Sequence, residues 1–539
     1  MKTTTYALLM FLMIQTASVA QEEEKKKEMP RLEIPEITIV GKKAITLPFA
    51  RKGEVLDIEL YEAPPPDSTV LTDRPAASIP VGGFPRFRET LMPWRAYFEG
   101  GAGSFSTVDL RGAVGYSDLL WEVSARADYG STRGHTTNAQ ANLLTIGADA
   151  STMIETDNEL LRRFRASGNF ALTHETYGVF GIPDTAVDRT RNAFSLQTRI
   201  ASAEQQRFDY EIGLGIQTMS IEDERIGIAG KTSVVSPKLS TRVGTEVDRL
   251  RFGVQFRYES SLLNYSFPTE SPTFVELTPT AQWKFGEQWS VLAGVRYAHG
   301  AHSDAGSSDL LSPVAVVRWN PSGDFWASVW WEPVIKPASF FKNFQENAYL
   351  IPDMLLRHER KPVLVGIAGE YSIGVISFRG RVSYTQTDDT PIPIADRGGI
   401  RMEYASTQQM EIEVSSIIQA TETERVLLLG TFHYAREREN SVQLAMTPPV
   451  QFQARGELAL PIPMTLWTSL NFVGQRNVDR QATTSLPGYM LLNAGASSTI
   501  IARTKFSLES ENLLGTSYDW WSGYTAPGRR FAVRMQLTL

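Results

Sequence analysis

The last ten residues of the chain, 530–539, alternate between large apolar side chains and polar or small ones. Successive side chains of a β-strand point to opposite faces, so this segment would present one apolar wall and one polar wall. The apolar wall would consist of Phe531, Val533, Met535, Leu537 and Leu539. Soluble sandwiches and membrane barrels both contain such strands, and this segment alone does not distinguish the two folds.

The same alternation recurs from Arg95 onward through most of the chain, and this recurrence limits the fold far more than a single strand does. Clear examples cover residues 208–217, 252–258, 376–384 and 464–472. The polar rows are rich in Arg, Gln and Glu, which suits a wide, water-filled lumen. In a membrane barrel the apolar rows would face lipid and the polar rows would face that lumen.

Short and long connections alternate between these segments. The segments are almost contiguous near residues 117–118, 246–247, 286, 320–323 and 461–462, whereas long connections cover 129–140, 178–189, 335–357 and 515–526. Short turns at one end and long loops at the other are typical of outer-membrane barrels. The sequence therefore predicts an all-β fold, a transmembrane antiparallel barrel of roughly 22 strands over residues 95–539.

Composition excludes several other classes of protein. No run of about eighteen apolar residues occurs after the N-terminus, which excludes helical membrane spans. The net charge of −7 argues against a nucleic-acid partner. The chain has 0 cysteines, which excludes a disulfide framework, a thiolate metal site and a cysteine nucleophile.

Residues 1–20 have the features of a cleavable secretory signal peptide. Lys2 precedes an apolar core over residues 7–14, and the small residues Ser18 and Ala20 follow it. A buried N-terminal helix is the alternative. Together with the barrel pattern, the signal predicts a cell outer-membrane protein that contacts outer-membrane lipid.

Residues 21–94 form a short, mostly irregular N-terminal segment before the predicted barrel. It begins with a charge block at 22–27, contains a β-prone run at 34–40, and carries prolines at 64–66 and up to Pro93. It is too short and too poor in apolar residues to build a large core of its own. We expect this proline-rich segment to lie in the periplasm or inside the lumen.

Three stretches resemble the barrel of the TonB-dependent receptors. Residues 511–529, with the run Glu-Asn-Leu-Leu-Gly at 511–515 and Pro-Gly-Arg at 527–529, are similar to the end of that barrel. Residues 99–107 are similar to its first hairpin, and residues 331–350 to a mid-barrel loop. The resemblance implies an active transporter, closed by an N-terminal plug and driven by a periplasmic energy transducer. We also expect the final strand to serve as a C-terminal signal for the barrel-assembly machinery.

The sequence departs from that family before the barrel. Residues 21–93 are shorter than a plug domain and carry no plug motif, although a barrel this wide is normally plugged. This N-terminal segment, infolded loops or a partner protein could fill the lumen. One hypothesis is therefore a receptor-like barrel that transports an unidentified ligand across the outer membrane. The other is a plug-less subunit of an outer-membrane complex, acting as scaffold, export conduit or assembly factor, with its lumen filled by a partner.

Ile37, Thr38, Ile39 and Val40 are similar to the TonB box, an extended peptide that adds as a strand to the transducer's sheet. Such a peptide needs β-prone residues, an accessible backbone and a flexible tether. The alternative is a segment that packs in the lumen or has no fixed structure. A TonB-like energy transducer is accordingly a predicted partner.

The long loop at 335–357 carries four aromatic residues, Phe340, Phe341, Phe344 and Tyr349, beside two lysines. Exposed aromatic side chains can form a surface for a ligand or a partner. They could equally fold into the lumen as a partial plug. The sequence leaves both interpretations open.

No catalytic motif occurs in the sequence, so we expect no enzymatic activity, no cofactor and no resident metal. His299, His302 and Asp304 could converge on a metal, although loop histidines are usually polar surface. The acidic pair Asp388 and Asp389 could hold Ca²⁺ weakly or form a solvated turn.

Overall fold

The computed structural model describes residues 94–118, 120–157, 163–181, 187–202, 208–225, 228–265, 269–396, 399–419, 421, 424–501 and 503–539. The predicted signal peptide, the segment 21–93 and the stretch from Ile37 to Val40 lie outside the described residues. Among the residues that the structure describes, none of the helices has the length and apolar character that a membrane span requires.

Twenty-two strands form one antiparallel ring. They are β1 Trp94–Gly103, β2 Thr107–Ser117, β3 Trp121–Thr132, β4 Ala141–Glu155, β5 Arg163–Val179, β6 Val187–Ser202, β7 Phe208–Arg225, β8 Ile228–Val247, β9 Leu250–Ser260, β10 Thr273–Phe285, β11 Trp289–Ala301, β12 Ser307–Ser322, β13 Phe325–Trp331, β14 Glu359–Ile373, β15 Ile376–Asp396, β16 Gly399–Gln419, β17 Arg425–Glu437, β18 Val450–Ala459, β19 Met464–Val473, β20 Tyr489–Ile501, β21 Thr504–Glu511 and β22 Arg530–Thr538.

Each strand pairs with its neighbours in sequence, and the first strand also pairs with the last. Tyr97 of β1 lies opposite Thr538 of β22, and Gly103 lies opposite Ala532. This pairing closes the barrel and leaves no free sheet edge. The predicted fold, a transmembrane antiparallel barrel of about 22 strands, is confirmed. The role of β22 as an assembly signal stays a prediction.

One end of the barrel, here called the short-turn end, has turns at 248–249, 286–288, 323–324 and 374–375. Gly286 and Gly374 adopt φ of 63° and 56° there, a left-handed conformation that glycine adopts without strain. The opposite end, the loop end, carries the longer connections at 133–140, 332–358, 438–449, 474–488 and 512–529. The predicted alternation of short turns and long loops is therefore confirmed.

The outer wall of the barrel is apolar. Phe531, Val533, Met535 and Leu539 of the terminal segment are all exposed there, and Leu537 is partly exposed. An aromatic girdle near the short-turn end includes stacked Trp289 and Trp319, together with Trp283, Phe285, Phe325 and Tyr371. So large an apolar surface does not suit a soluble protein, whereas an apolar band with an aromatic girdle suits a lipid bilayer.

The inner wall is polar and carries ion pairs between neighbouring strands. Arg534 of β22 contacts Glu509 of β21 and lies 3.7 Å from Asp109 of β2, so this group bridges the closure of the ring. Elsewhere Arg199 and Arg242 both contact Glu211, at 2.6 and 3.5 Å. The Arg- and Glu-rich rows of the sequence thus face the lumen.

Candidate functional site

The loop between β13 and β14, residues 332–358, folds inward at the loop end; we call it the infolded loop. It begins with a short strand, Val334–Lys336, and contains the helix α1, Phe340–Glu346. The helix starts because the Ser339 side chain accepts a hydrogen bond from the backbone N–H of Lys342 at 3.2 Å. Phe340 and Phe344 therefore lie on one face of α1, four residues apart.

The infolded loop buries its apolar side chains against the far inner wall. Phe340, Phe344 and Tyr349 are fully buried, whereas Phe341 is only partly buried. They share one core with residues from distant strands and loops, namely Tyr177, Val179, Val187, Met219, Ile221, Val234, Ile400 and Tyr524. The loop therefore crosses the lumen from β13 to the wall formed by β5–β8. A role of these four aromatic residues in contacting a ligand or partner stays a prediction.

Two buried arginines of β6 hold the infolded loop by its backbone carbonyls. Arg189 donates to the carbonyls of Ala348 and Leu350 at 2.8 and 2.7 Å. Arg191 donates to the carbonyl of Phe344 at 2.8 Å. The two guanidinium groups thus satisfy polar atoms that would otherwise be buried unpaired.

Each arginine is held in place by a carboxylate on the adjacent strand. Asp223 of β7 accepts two hydrogen bonds from Arg189, at 2.6 and 2.8 Å. Glu175 of β5, fully buried, pairs with Arg191. Planar two-point pairing fixes the orientation of a guanidinium group, so the remaining N–H groups of Arg189 are aimed at the loop.

An aromatic cluster joins the infolded loop to the neighbouring loops. The rings of Tyr349 and Tyr524 lie 4.1 Å apart, and Phe180 lies 5.6 Å from Tyr349 and 5.2 Å from Tyr524. His135 lies 5.7 Å from Phe180 and contacts the carbonyl of Thr525 at 2.6 Å. Three long loops and the end of β5 therefore meet at one point.

A pair of histidines fastens the other side of the infolded loop. His358 accepts a hydrogen bond at Nδ1 from the backbone N–H of Ala338 and donates from Nε2 to the carbonyl of Ala301, at 3.0 and 2.9 Å. His302 accepts at Nδ1 from the backbone N–H of His358 at 3.0 Å. Because each Nδ1 is an acceptor, both imidazoles are neutral in this arrangement.

Burial lowers the pKa of both histidines, that of His358 from 6.5 to about 4. The nearby charges of Asp304, Asp389 and Arg357 partly cancel one another. His358 therefore stays neutral in the attached loop at pH values below 6.5, at which it would be protonated in the released loop. Attachment is at full strength above that pH and weakens as the pH falls toward 4.

We expect acidification from pH 7 to pH 4.5 to loosen the infolded loop, by at most about 3 kcal/mol from His358. Hydrogen exchange of the amides of residues 338–358, corrected for the intrinsic pH dependence of exchange, measures this. His358→Gln should flatten the dependence, whereas His174→Gln, at an exposed histidine that contacts Asn192, should keep it. An unchanged profile in His358→Gln would contradict this assignment.

The histidines and acids considered as metal ligands are not brought together. His299 contacts Asp309 at 2.8 Å, and Asp304 pairs with Arg357. Asp388 pairs with Arg360 and Arg438, and Asp389 with Arg357. Across the described ranges, no group of three or more such side chains could hold a metal ion.

Sequence reasoning missed the residues that hold the infolded loop, above all Arg189, Arg191 and His358. The loop carbonyls that Arg189 binds lie about 160 positions further along the chain, and no local pattern connects them to it. One signal was present, since Arg189 and Arg191 share the inward face of β6 near its loop end. Chemically, the site consists of hydrogen bonds, ion pairs and aromatic contacts that hold the infolded loop across part of the lumen.

The fold is shared with solved structures of transport proteins. The iron transporter FrpB from Neisseria meningitidis matches with a TM-score of 0.67 at 10% identity, covering 83% of this chain and 82% of the other. The copper transporter OprC matches with a TM-score of 0.63 at 11% identity, covering 83% and 81%. The ferric yersiniabactin uptake receptor FyuA from Yersinia pestis matches with 0.62 at 12% identity, covering 83% and 80%.

No family model matches the sequence. No curated protein sequence matches it either. At identities of 10–12% the structural likeness establishes the fold alone. As a statement about the fold, the resemblance to the barrel of the TonB-dependent receptors, which we inferred from the sequence motifs, is confirmed.

Proposed function

We propose that this chain, whose fold is that of iron and copper transporters and of a ferric yersiniabactin uptake receptor, is an outer-membrane barrel that transports an unidentified ligand. The observation that carries the proposal is the infolded loop, which Arg189 and Arg191 hold across the lumen. A scaffold does not need such an attachment, whereas a transporter needs a closed resting state that can be opened.

The proposed location rests on the wall of the barrel and on the N-terminus. The apolar outer wall with its aromatic girdle suits a bilayer, and closed barrels with short and long connections at opposite ends are typical of outer membranes. Residues 1–20 have the composition of a secretory signal, which would deliver the chain there. In this orientation the loop end faces outward and the short-turn end faces the periplasm.

The proposed energy source is a TonB-like transducer that binds Ile37, Thr38, Ile39 and Val40. This run is β-prone and is followed by Gly41, so it suits strand addition to the edge of a partner sheet. Main-chain hydrogen bonds would supply the affinity. A pull on this segment from the periplasmic side would then be coupled to opening of the barrel.

Deleting residues 34–41 tests this function. We expect loss of uptake and loss of transducer binding, because the added strand is removed, while the barrel still folds. The matched control is deletion of the eight residues 22–29, which removes the charge block and should leave both properties in place. Unchanged uptake and transducer binding in the 34–41 deletion would overturn the energised-transport proposal.

A second candidate is a barrel subunit of an outer-membrane complex, acting as scaffold, export conduit or assembly factor. The observation that favours it is that residues 94–539, so far as they are described, contain only barrel strands and their connections. A partner protein would then occupy the lumen. Isolation of the barrel from native membranes without a stoichiometric partner would count against this alternative.

A further inference from the structure

The outer wall of the barrel carries a groove over β4–β8, on the half nearer the loop end; we call it the outer groove. It has a volume of about 480 Å³, and its floor consists of Thr218 and Ser220 of β7. Thr218 lies in strand register between Phe194 of β6 and Val235 of β8, so a small side chain is flanked by larger ones. Leu172, which also lines the groove, is 48% exposed on the outer wall. The outer groove therefore opens toward the surrounding lipid rather than toward the lumen.

The wall below the outer groove is apolar. Leu196 and Leu214 lie closer to the short-turn end and are 40% and 56% exposed on the same face. The groove is thus continuous with the apolar band that faces the bilayer. An empty groove would forfeit dispersion contacts with its lining, so a hydrocarbon chain of the bilayer is its natural occupant.

A row of polar side chains crosses the outer groove at its end nearer the loops. Asn192 of β6 lies opposite Ser220 of β7, and Ser220 lies opposite Ser233 of β8. Nδ1 of His174 contacts Oδ1 of Asn192 at 2.7 Å, which leaves the side-chain NH₂ group of Asn192 as a donor toward the groove. The row suits the ester carbonyl of a lipid, which is an acceptor at the top of the acyl chain.

Acidic side chains predominate on the outer wall between this polar row and the loops. Among the described residues of β6–β8, the charged side chains on this part of the outward face are Asp188, Glu222, Glu224 and Lys231, all of them exposed. Glu222 pairs with Lys231 at 2.5 Å, and Glu224 lies opposite Asp188 in the strand register. Three carboxylates beside one ammonium group leave an excess of negative charge, which attracts a cationic group and disfavours an anionic one.

We propose that the outer groove binds a diacyl lipid whose head group carries an amine. One acyl chain lies over Thr218 and continues along the apolar wall below. Asn192 and Ser220 donate to the ester carbonyl, and Glu222 and Glu224 face the ammonium group. A lipid with several phosphates fits less well, because each phosphate would meet these carboxylates. This inference rests on the outer wall and does not depend on whether the barrel transports a ligand.

Native mass spectrometry of the full mature chain tests the head-group preference. The delipidated barrel is mixed with equal amounts of phosphatidylethanolamine and phosphatidylglycerol that carry the same acyl chains, and with lipid A in a further arm. We expect phosphatidylethanolamine to be retained about fivefold more than phosphatidylglycerol, since one charge interaction at a membrane surface is worth roughly that factor. Equal retention of the three lipids, or a preference for phosphatidylglycerol or lipid A, would overturn the proposal.

Removing the acids should abolish the preference without closing the groove. With Glu222→Gln and Glu224→Gln together, we expect the ratio of the two phospholipids to fall to about one, because the ammonium group loses its partners. Asp309→Asn is the control, since Asp309 is an exposed acid on the outer face of β12, away from the groove. It should keep the preference. A fivefold ratio that survives in the double variant would contradict the role given to the two glutamates.

Filling the groove tests the position of the acyl chain. Thr218→Trp should lower the retained phosphatidylethanolamine by about tenfold, a factor that the lost burial of two CH₂ groups already supplies. Thr468→Trp, at an exposed threonine on the outer face of β19, should leave retention unchanged. Retention at the original level in a Thr218→Trp barrel that still resists unfolding in detergent would place the lipid elsewhere and refute the site.

Discussion

Replacing Arg189 with methionine is expected to release the infolded loop while the ring of 22 strands stays closed. Methionine is also an unbranched, flexible side chain, but it cannot donate to the carbonyls of Ala348 and Leu350. It also leaves the carboxylate of Asp223 without its two-point partner. Removing one partner of a buried ion pair typically costs about 3–5 kcal/mol. That cost falls on the attachment of the loop, because the strand ladder of β6 is unaffected.

Hydrogen exchange of the amides of residues 340–350 measures this release. An opening free energy lowered by about 3–5 kcal/mol corresponds to roughly 10²–10⁴-fold faster exchange. Arg199→Met is the matched control, since Arg199 lies on the same strand, is 58% exposed and pairs with Glu211 away from the loop. Protection of residues 340–350 that survives in Arg189→Met would contradict the assignment of Arg189 as the main polar attachment.

Truncating Phe344 to alanine is expected to loosen the same loop through a different contact. Phe344 is 0% exposed and packs on Phe340, at 4.7 Å between ring centres, and in the core formed with the inner wall. Loss of a fully buried phenylalanine costs about 3–5 kcal/mol through lost burial and the cavity left behind. The loop should therefore exchange as fast as in Arg189→Met.

Phe341→Ala is the control for this prediction, because Phe341 sits on the same helix and is only partly buried. It should change exchange much less than Phe344→Ala. Thermal unfolding of the barrel should stay unchanged in both variants, since neither residue belongs to a strand of the ring. Equal effects of the two substitutions would show that the helix is held by something other than its buried face.

The barrel could be predicted because the alternation of apolar and polar side chains that produces it occurs within each strand. Alternation with a period of two places Phe531 and Val533 outside and Arg534 inside, and the structure places them there. Lipid on one side and water on the other impose this pattern locally, so no distant contact has to be known. The same rule holds for Trp330, which is buried, and for its neighbour Trp331, which is exposed on the other face.

The attachment of the infolded loop could not be predicted because it depends on distant contacts. Nothing near Phe344 in the sequence shows that Arg191 will satisfy its carbonyl, and alternation does not apply to a loop. The histidines show a second limit. Closeness in sequence predicts that His302 and His299 act together, but His299 lies on β11 and pairs with Asp309. His302 instead contacts Ser308 and accepts from the backbone N–H of His358, 56 positions away.

The central claim is that the resting barrel is a closed transporter rather than an open conduit. Single-channel conductance of the mature protein in a planar bilayer tests it most directly, measured with and without residues 21–93. We predict that the intact chain is closed, on the hypothesis that residues 21–93 fill the part of the lumen that the infolded loop leaves open. Without residues 21–93 it should become a large pore. A large, steady conductance of the intact chain would contradict the account and would mean that a separate protein closes the lumen.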